Sequence, residues 1–256
     1  MNVAIIQTNI AWHEPKNNIQ HIDKLIDANK GADLYILPEM FTTGFSMNPE
    51  SIADTDGASL TWMKERARQI SAAVAGTVIV EKNGAFYNRM YFVKPNGETT
   101  VYDKRHLFSF SGEDKHYTPG KKRVVVEWKG VRIFLQTCYD LRFPVFSRNK
   151  GDYDMIVYVA SWPDRRHDVW TTLLKARALE NQCYVAGVNR TGDDPQCHYI
   201  GGSVVISPYG RYLAMCEDNT EEVAIATIDM QKLQEFRKKF PVLQDADDFT
   251  IYLDKE

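Results

Sequence analysis

The apolar residues of this chain come in short runs, each closed by a turn residue or a polar strand end, and this limits the fold more than any other feature. Val3 to Ile10, Leu34 to Leu37, Thr77 to Val80, Met155 to Ala160 and Tyr184 to Val188 each have strand length and apolar or alternating character. Between several of them lie helix-period segments. Lys16 to Asn29 carries Ile19, Ile22, Leu25 and Ile26 on one face, and Gly31 follows as a stop. Ser59 to Val74 is expected to be helical through Leu60, Met63, Ala67 and Ile70, and Val169 to Gln182 and Met230 to Phe240 complete the helices. No run approaches the roughly 20 apolar residues that a membrane-spanning helix needs.

The middle of the chain is different. Lys82-Asn83-Gly84, Pro95-Asn96-Gly97 and Lys129-Gly130 are hairpin turn signals separating Phe86 to Val93, Thr99 to Leu107, Val124 to Trp128 and Val131 to Gln136. Ser203 to Ile206, Tyr212 to Met215 and Glu222 to Ile228 add strands near the C-terminus. A chain of 256 residues without repeats or a flexible linker reads as one domain over 1–256. Two sheets packed face to face and covered by helices would bury this many short strands, an α/β arrangement.

Charge and cysteine usage exclude several functions. Thirty-one Lys plus Arg against 34 Asp plus Glu leave a net charge of −3, which offers no general attraction to nucleic acid or an anionic membrane. The N-terminus enters a strand pattern directly, without the features of a secretory leader, so a cytoplasmic location is the expectation. Cys138, Cys183, Cys197 and Cys216 are scattered, which suits reduced thiols better than a disulfide framework. His106, His116, His167 and His198 show no paired ligand spacing, so no metal is expected.

Three strand ends carry chemistry-bearing residues: Pro38-Glu39-Met40-Phe41, Asp103-Lys104-Arg105-His106 and Thr137-Cys138-Tyr139-Asp140-Leu141-Arg142-Phe143-Pro144. A carboxylate can take a thiol proton while a cation stabilises an oxyanion, so together they make a nucleophilic set. In order and spacing these segments resemble the three motifs of the nitrilase superfamily of carbon-nitrogen hydrolases. The likeness continues through Ala160-Ser161-Trp162-Pro163, Ala176 to Val185 and Gly202-Ser203. Thr42-Thr43-Gly44-Phe45, Leu173 to Arg177 and Asn189-Arg190 are most similar to the omega-amidase branch.

The resemblance implies a four-layer α-β-β-α sandwich, commonly paired as a homodimer, and hydrolysis of the terminal amide of small dicarboxylic acid monoamides without a cofactor. It implies Cys138 as nucleophile, Glu39 as general base and Lys104 as oxyanion stabiliser, with Glu113 as a second glutamate orienting Lys104 and the substrate. Tyr139 would add a backbone N–H to the oxyanion site, and Trp162 suits a pocket wall. Arg142 could read a substrate carboxylate or pair with a neighbouring acid, the second being slightly favoured; Arg166 and Arg177 are further candidates for that carboxylate. The other readings are a nitrile or carbamoyl hydrolase of the same family and a non-catalytic scaffold for partner binding; Glu39, Lys104 and Cys138 together argue against the scaffold.

Overall fold

A computed structural model describes residues 1–252. From the N-terminus, β1 (Asn2–Gln7), α1 (Pro15–Ala28), β2 (Leu34–Ile36), α2 (Ala58–Ile70), β3 (Ala73–Lys82), β4 (Ala85–Val93) and β5 (Thr99–Asp103) form the first half. Then come α3 (Glu113–His116), β6 (Val125–Trp128), β7 (Val131–Thr137), α4 (Pro144–Ser147), β8 (Met155–Ala160), α5 (His167–Glu180) and β9 (Tyr184–Asn189). A small hairpin, β10 (Thr191–Asp193) and β11 (His198–Ile200), precedes β12 (Val204–Ile206), β13 (Tyr212–Met215), β14 (Glu222–Thr227) and α6 (Met230–Lys239).

The strands assemble into two six-stranded sheets, ordered β14-β1-β2-β3-β4-β5 and β13-β12-β9-β8-β7-β6. In each sheet the three central strands are parallel, joined through helical crossovers, and the flanking strands are antiparallel. The period of two along each strand then sorts the side chains into layers. Ile5, Ile36, Ala75, Phe92 and Tyr102 of the first sheet meet Ile133, Leu135, Val157 and Ala186 of the second in one core between the sheets. Their neighbours Ala4, Ile6, Tyr35 and Val74 face outward beneath Ile22 and Ile26 of α1 and Met63 and Ala67 of α2. On the far side, Phe134, Ile156, Tyr158 and Val185 pack under Trp170, Leu174 and Ala178 of α5. The layers therefore run α-β-β-α, as expected. Gly187 permits the closest approach, since a Cβ there would stand 2.4 Å from Leu174 Cδ1.

Several boundaries differ from the sequence reading, among them the end of β1 at Gln7 in place of Ile10. The second helix ends at Ile70, because Ser71 turns left-handed with φ 53° and its N–H caps the last turn. Ala73 and Val74 instead open β3, in register with Leu34 and Tyr35, so parallel pairing overrides their helical spacing. The strand expected from Thr99 to Leu107 stops at Asp103, and Lys104 follows it, its N–H still bonded to Asn88 O of β4. The β10–β11 hairpin had no strand signal, because three-residue strands rich in Gly, Asp and His carry no readable period.

Candidate active site

Each parallel strand ends at the same edge of its sheet, and a group of buried polar side chains collects there. Leu37-Pro38 closes β2 and hands Glu39 into the interface between the sheets, fully buried. On β4, Asn88 falls on the same alternating face as the core residues Met90 and Phe92. Tyr102 and Lys104, two residues apart around the end of β5, likewise face the second sheet, and Lys104 is buried. Glu113, the first residue of α3, folds back beneath the loop with its side chain wholly inside. Gly120 closes that loop: its N–H donates to Lys104 O at 2.9 Å, and a Cβ would stand 2.0 Å from Asp103 O.

These groups form one charged network. Lys104 Nζ lies 2.9 Å from Glu39 Oε1 and 3.0 and 2.9 Å from the two oxygens of Glu113. Asn88 Nδ2 donates to Glu39 Oε1 at 2.7 Å and to Glu113 Oε1 at 3.1 Å. The remaining oxygen, Glu39 Oε2, accepts the backbone N–H of Ser161 at 2.9 Å. Burial by itself would discharge the Lys104 ammonium, but the flanking Glu113 and Glu39 charges outweigh it and hold the ammonium more firmly protonated than an ordinary lysine. Glu113 is pushed up by burial and by the neighbouring Glu39, against the pull of Lys104.

Cys138 lies opposite, at the end of β7. Its φ of 44° is left-handed, a region costly for any residue with a Cβ, and such strain persists only where the surroundings enforce it. Asp140 does the enforcing. Its buried carboxylate accepts Thr137 N at 2.9 Å, Tyr102 OH at 2.6 Å and His106 N at 3.0 Å, with His106 Nδ1 at 2.7 Å. His106 also stacks on Phe143, ring centroids 3.8 Å apart. The turn that bears the thiol is thereby fastened to the segment that bears Lys104. Burial foremost, then the Glu39 charge, pushes the Cys138 thiol well above the ordinary range, with Lys104 pulling less strongly the other way. Such a thiol needs a base to become a nucleophile, and Glu39 is the neighbouring carboxylate whose charge acts on it most strongly.

A pocket of about 550 Å³, including its mouth, opens above Cys138, with Phe45, Phe108, Tyr139, Arg142, Trp162 and Arg166 in its walls. Trp162 is held by Asn189, which accepts its N–H at 2.8 Å, and by Arg166 O, which accepts its ring N–H at 2.8 Å. Arg142 sits over the Trp162 ring and Arg166 over the Phe108 ring, at 5.3 and 5.2 Å. Neither guanidinium forms an ion pair among the described residues, so the acid pairing favoured for Arg142 is absent.

Glu39, Lys104, Glu113, Cys138, Tyr139, Arg142 and Trp162 thus all meet at one place. Arg177 does not: it is buried, bonded to Glu180 and to Leu141 O, and shores up the nucleophile turn from below. Cys197 lines the pocket from the β10–β11 hairpin, a placement that the sequence did not signal. Asp194 holds that hairpin in place by accepting Tyr199 OH at 2.6 Å and Cys197 N at 2.8 Å. Asn88, Asp140 and Ser161 carried no expectation. For Asn88 the signal existed, as a carboxamide on the core-facing parity of an otherwise apolar strand.

Comparison with known proteins agrees with this geometry. A carbon-nitrogen hydrolase family model matches residues 2–238. The chain is 43% identical to omega-amidase YafV of Escherichia coli over 98% of its own length and 99% of the relative's. It is 38% identical to the 2-oxoglutaramate amidase of Bacillus subtilis, covering 95% and 96% of the two chains. A CN-hydrolase superfamily protein of Xanthomonas campestris, solved with an arsenic adduct in its active site, superposes with a TM-score of 0.95 at 41% identity, covering 98% of this chain and 99% of that one.

Proposed function

The chain belongs to the carbon-nitrogen hydrolase family, and from that premise we propose that it is an omega-amidase, cleaving the terminal amide of small dicarboxylic acid monoamides to the acid and ammonia. One observation carries the reading: a buried ammonium clamped between two glutamates faces a thiol on a strained turn, beneath a pocket with two guanidinium groups that lack acid partners among the described residues. An amide is a weak electrophile with a poor leaving group, and each part of the site answers one of those difficulties.

Glu39 accepts the Cys138 proton as Sγ attacks the amide carbon. The oxyanion that forms is stabilised by the Lys104 ammonium and the Tyr139 backbone N–H. The C–N bond breaks as Glu39 returns the proton to nitrogen, and ammonia leaves behind a thioester on Cys138. Glu39 then takes a proton from water, the hydroxide adds to the thioester, and collapse expels the thiol with that proton restored. Glu113 keeps Lys104 pointed at the reacting carbon through both halves. Arg142 and Arg166 bind the far carboxylate of the substrate by charge-assisted hydrogen bonds, setting the chain length that reaches Cys138.

The test compares kcat/KM for succinamate, its methyl ester and butyramide by ammonia release. Succinamate is expected to exceed both by at least about tenfold, the order of one charged hydrogen bond. Equal values for all three would move the assignment to an amide or nitrile hydrolase that reads no carboxylate. A cytoplasmic homodimer belongs to the same reading. Pairing is supported by exposed Leu179, Tyr209, Tyr212 and Phe240, and light scattering on the purified protein reads its mass.

A further inference from the structure

Asn88 Nδ2 and Lys104 Nζ are donors to the same two atoms, Glu39 Oε1 and Glu113 Oε1, at 2.7 and 3.1 Å from the amide and 2.9 and 3.0 Å from the ammonium. Two donors and two acceptors close a ring. The ring decides how the carboxamide is turned, because the flipped amide would set its oxygen against two carboxylates. Both donors hang from one step of the ladder, since Lys104 N–H donates to Asn88 O at 2.9 Å. On its other side Asn88 is paired with Ile79 of β3, so its side chain has little freedom to swing away.

We propose that Asn88 is a positioning residue that divides the two oxygens of Glu39 between separate tasks: Oε1 is held, and Oε2 alone exchanges protons with the thiol, the departing nitrogen and water. The inference rests on the catalytic reading above. A carboxylate oxygen has two lone-pair sites. On Oε1 both are filled, by Asn88 and by Lys104, whereas Oε2 has one donor, the Ser161 N–H. A proton can therefore arrive only at Oε2. Without Asn88, Oε1 regains an open site, the proton has two places to go, and the ionised carboxylate loses a hydrogen bond that favours it.

The titratable groups facing Glu39 are Lys104 at the end of β5, Glu113 on α3 and Cys138 after β7, with Tyr117 beyond Glu113 and bonded to Ser46 O. All four persist in an Asn88 variant, so a change in proton affinity reads the missing donor.

Asn88→Ala removes the donor without adding charge, and Asn88→Asp keeps the shape while replacing the donor by an acceptor. In each, the acid limb of kcat/KM for succinamate is expected to move to higher pH by about one unit, further in Asn88→Asp. The pH dependence of Cys138 alkylation by iodoacetamide should move in parallel, with kcat at pH 7 lowered about tenfold or more and KM nearly unchanged. If either variant fails to fold, the other carries the test. An unmoved acid limb in a folded variant, or a loss confined to KM or thermal stability, overturns the proposal. The two readings fail differently: turnover surviving in Cys138→Ala sinks the catalytic assignment itself. A dead Cys138→Ala beside an unshifted Asn88 variant sinks only this inference.

Discussion

The two sheets meet at the active site with opposite habits. The first supplies Glu39 and Lys104 from its strand ends and Asn88 from within β4, with Glu113 from α3 behind, and every carboxylate oxygen there has a donor. The second supplies Cys138 on a left-handed turn, the Trp162 wall, and Arg142 and Arg166, whose charged heads rest on aromatic rings without an acid partner among the described residues. A group that moves protons must gain and lose them at one place, which a network that fills its other sites enforces. Groups that receive a substrate must keep bonding capacity in hand, since a guanidinium already paired has less to offer an incoming carboxylate. Asp140 is the joint between these regions, gripping Tyr102 and His106 from one side and Thr137 from the other.

The largest effect should come from the second sheet's nucleophile. Cys138→Ala is expected to lower turnover by at least about 10³-fold while leaving the melting temperature near that of the parent, because a small apolar side chain fits a buried site. Substantial ammonia release from the folded variant would identify another nucleophile. On the first sheet, Glu39→Gln and Lys104→Met should each slow acylation by about 100-fold or more, seen as a lost burst in stopped-flow. They separate in stability. Lys104→Met strands two buried carboxylates, at a cost of about 3–5 kcal/mol, whereas Glu39→Gln leaves Lys104 paired with Glu113. Equal melting temperatures for the two variants would show that the network is not held by its charge balance. In Glu39→Gln the charge that helps push the thiol up is gone, so the thiol titration read by direct alkylation should move to lower pH than in the parent, although acylation is lost for want of a base.

Smaller effects test the substrate side. Arg142→Leu and Arg166→Leu should each raise KM for succinamate about tenfold or more and leave butyramide hydrolysis nearly untouched. An equal loss on both substrates would mean that the arginines shape the pocket instead of reading a carboxylate. The smallest change is expected from the remaining thiols. Cys197→Ser, at the pocket wall, should alter KM by no more than a few-fold, whereas Cys183→Ser, buried under α5, should leave kinetics alone and lower stability by about 1–2 kcal/mol. A Cys183 variant with normal stability and altered KM would reverse that division.

Much of this molecule is legible in its amino-acid sequence. Strand and helix periods place the sandwich layers, and the polar ends of three apolar strands mark Glu39, Lys104 and Cys138, because a buried sheet tolerates such residues only where they have partners. The boundary at Ser71 is not legible: Ala72, Ala73 and Val74 suit a helix and a buried strand about equally, and only pairing with β2 decides between them. Nor is the hairpin that brings Cys197 to the pocket, which is held by strand pairing and by the Asp194 carboxylate and has no period of its own.

Residue type and local spacing are enough to indicate the kind of fold and to single out Glu39, Lys104 and Cys138 as candidate reacting groups. Which of those groups touch is a tertiary matter: that Asn88 shares its amide between two glutamates, that Asp140 ties the thiol's turn to the lysine's segment, and that Arg142 faces a pocket while Arg177 lies buried beneath it. Those contacts join residues 25 to 49 positions apart around Asn88 and 38 apart at Tyr102–Asp140. Over such separations the geometry is set by how strands register and sheets stack, which no local pattern of side chains encodes.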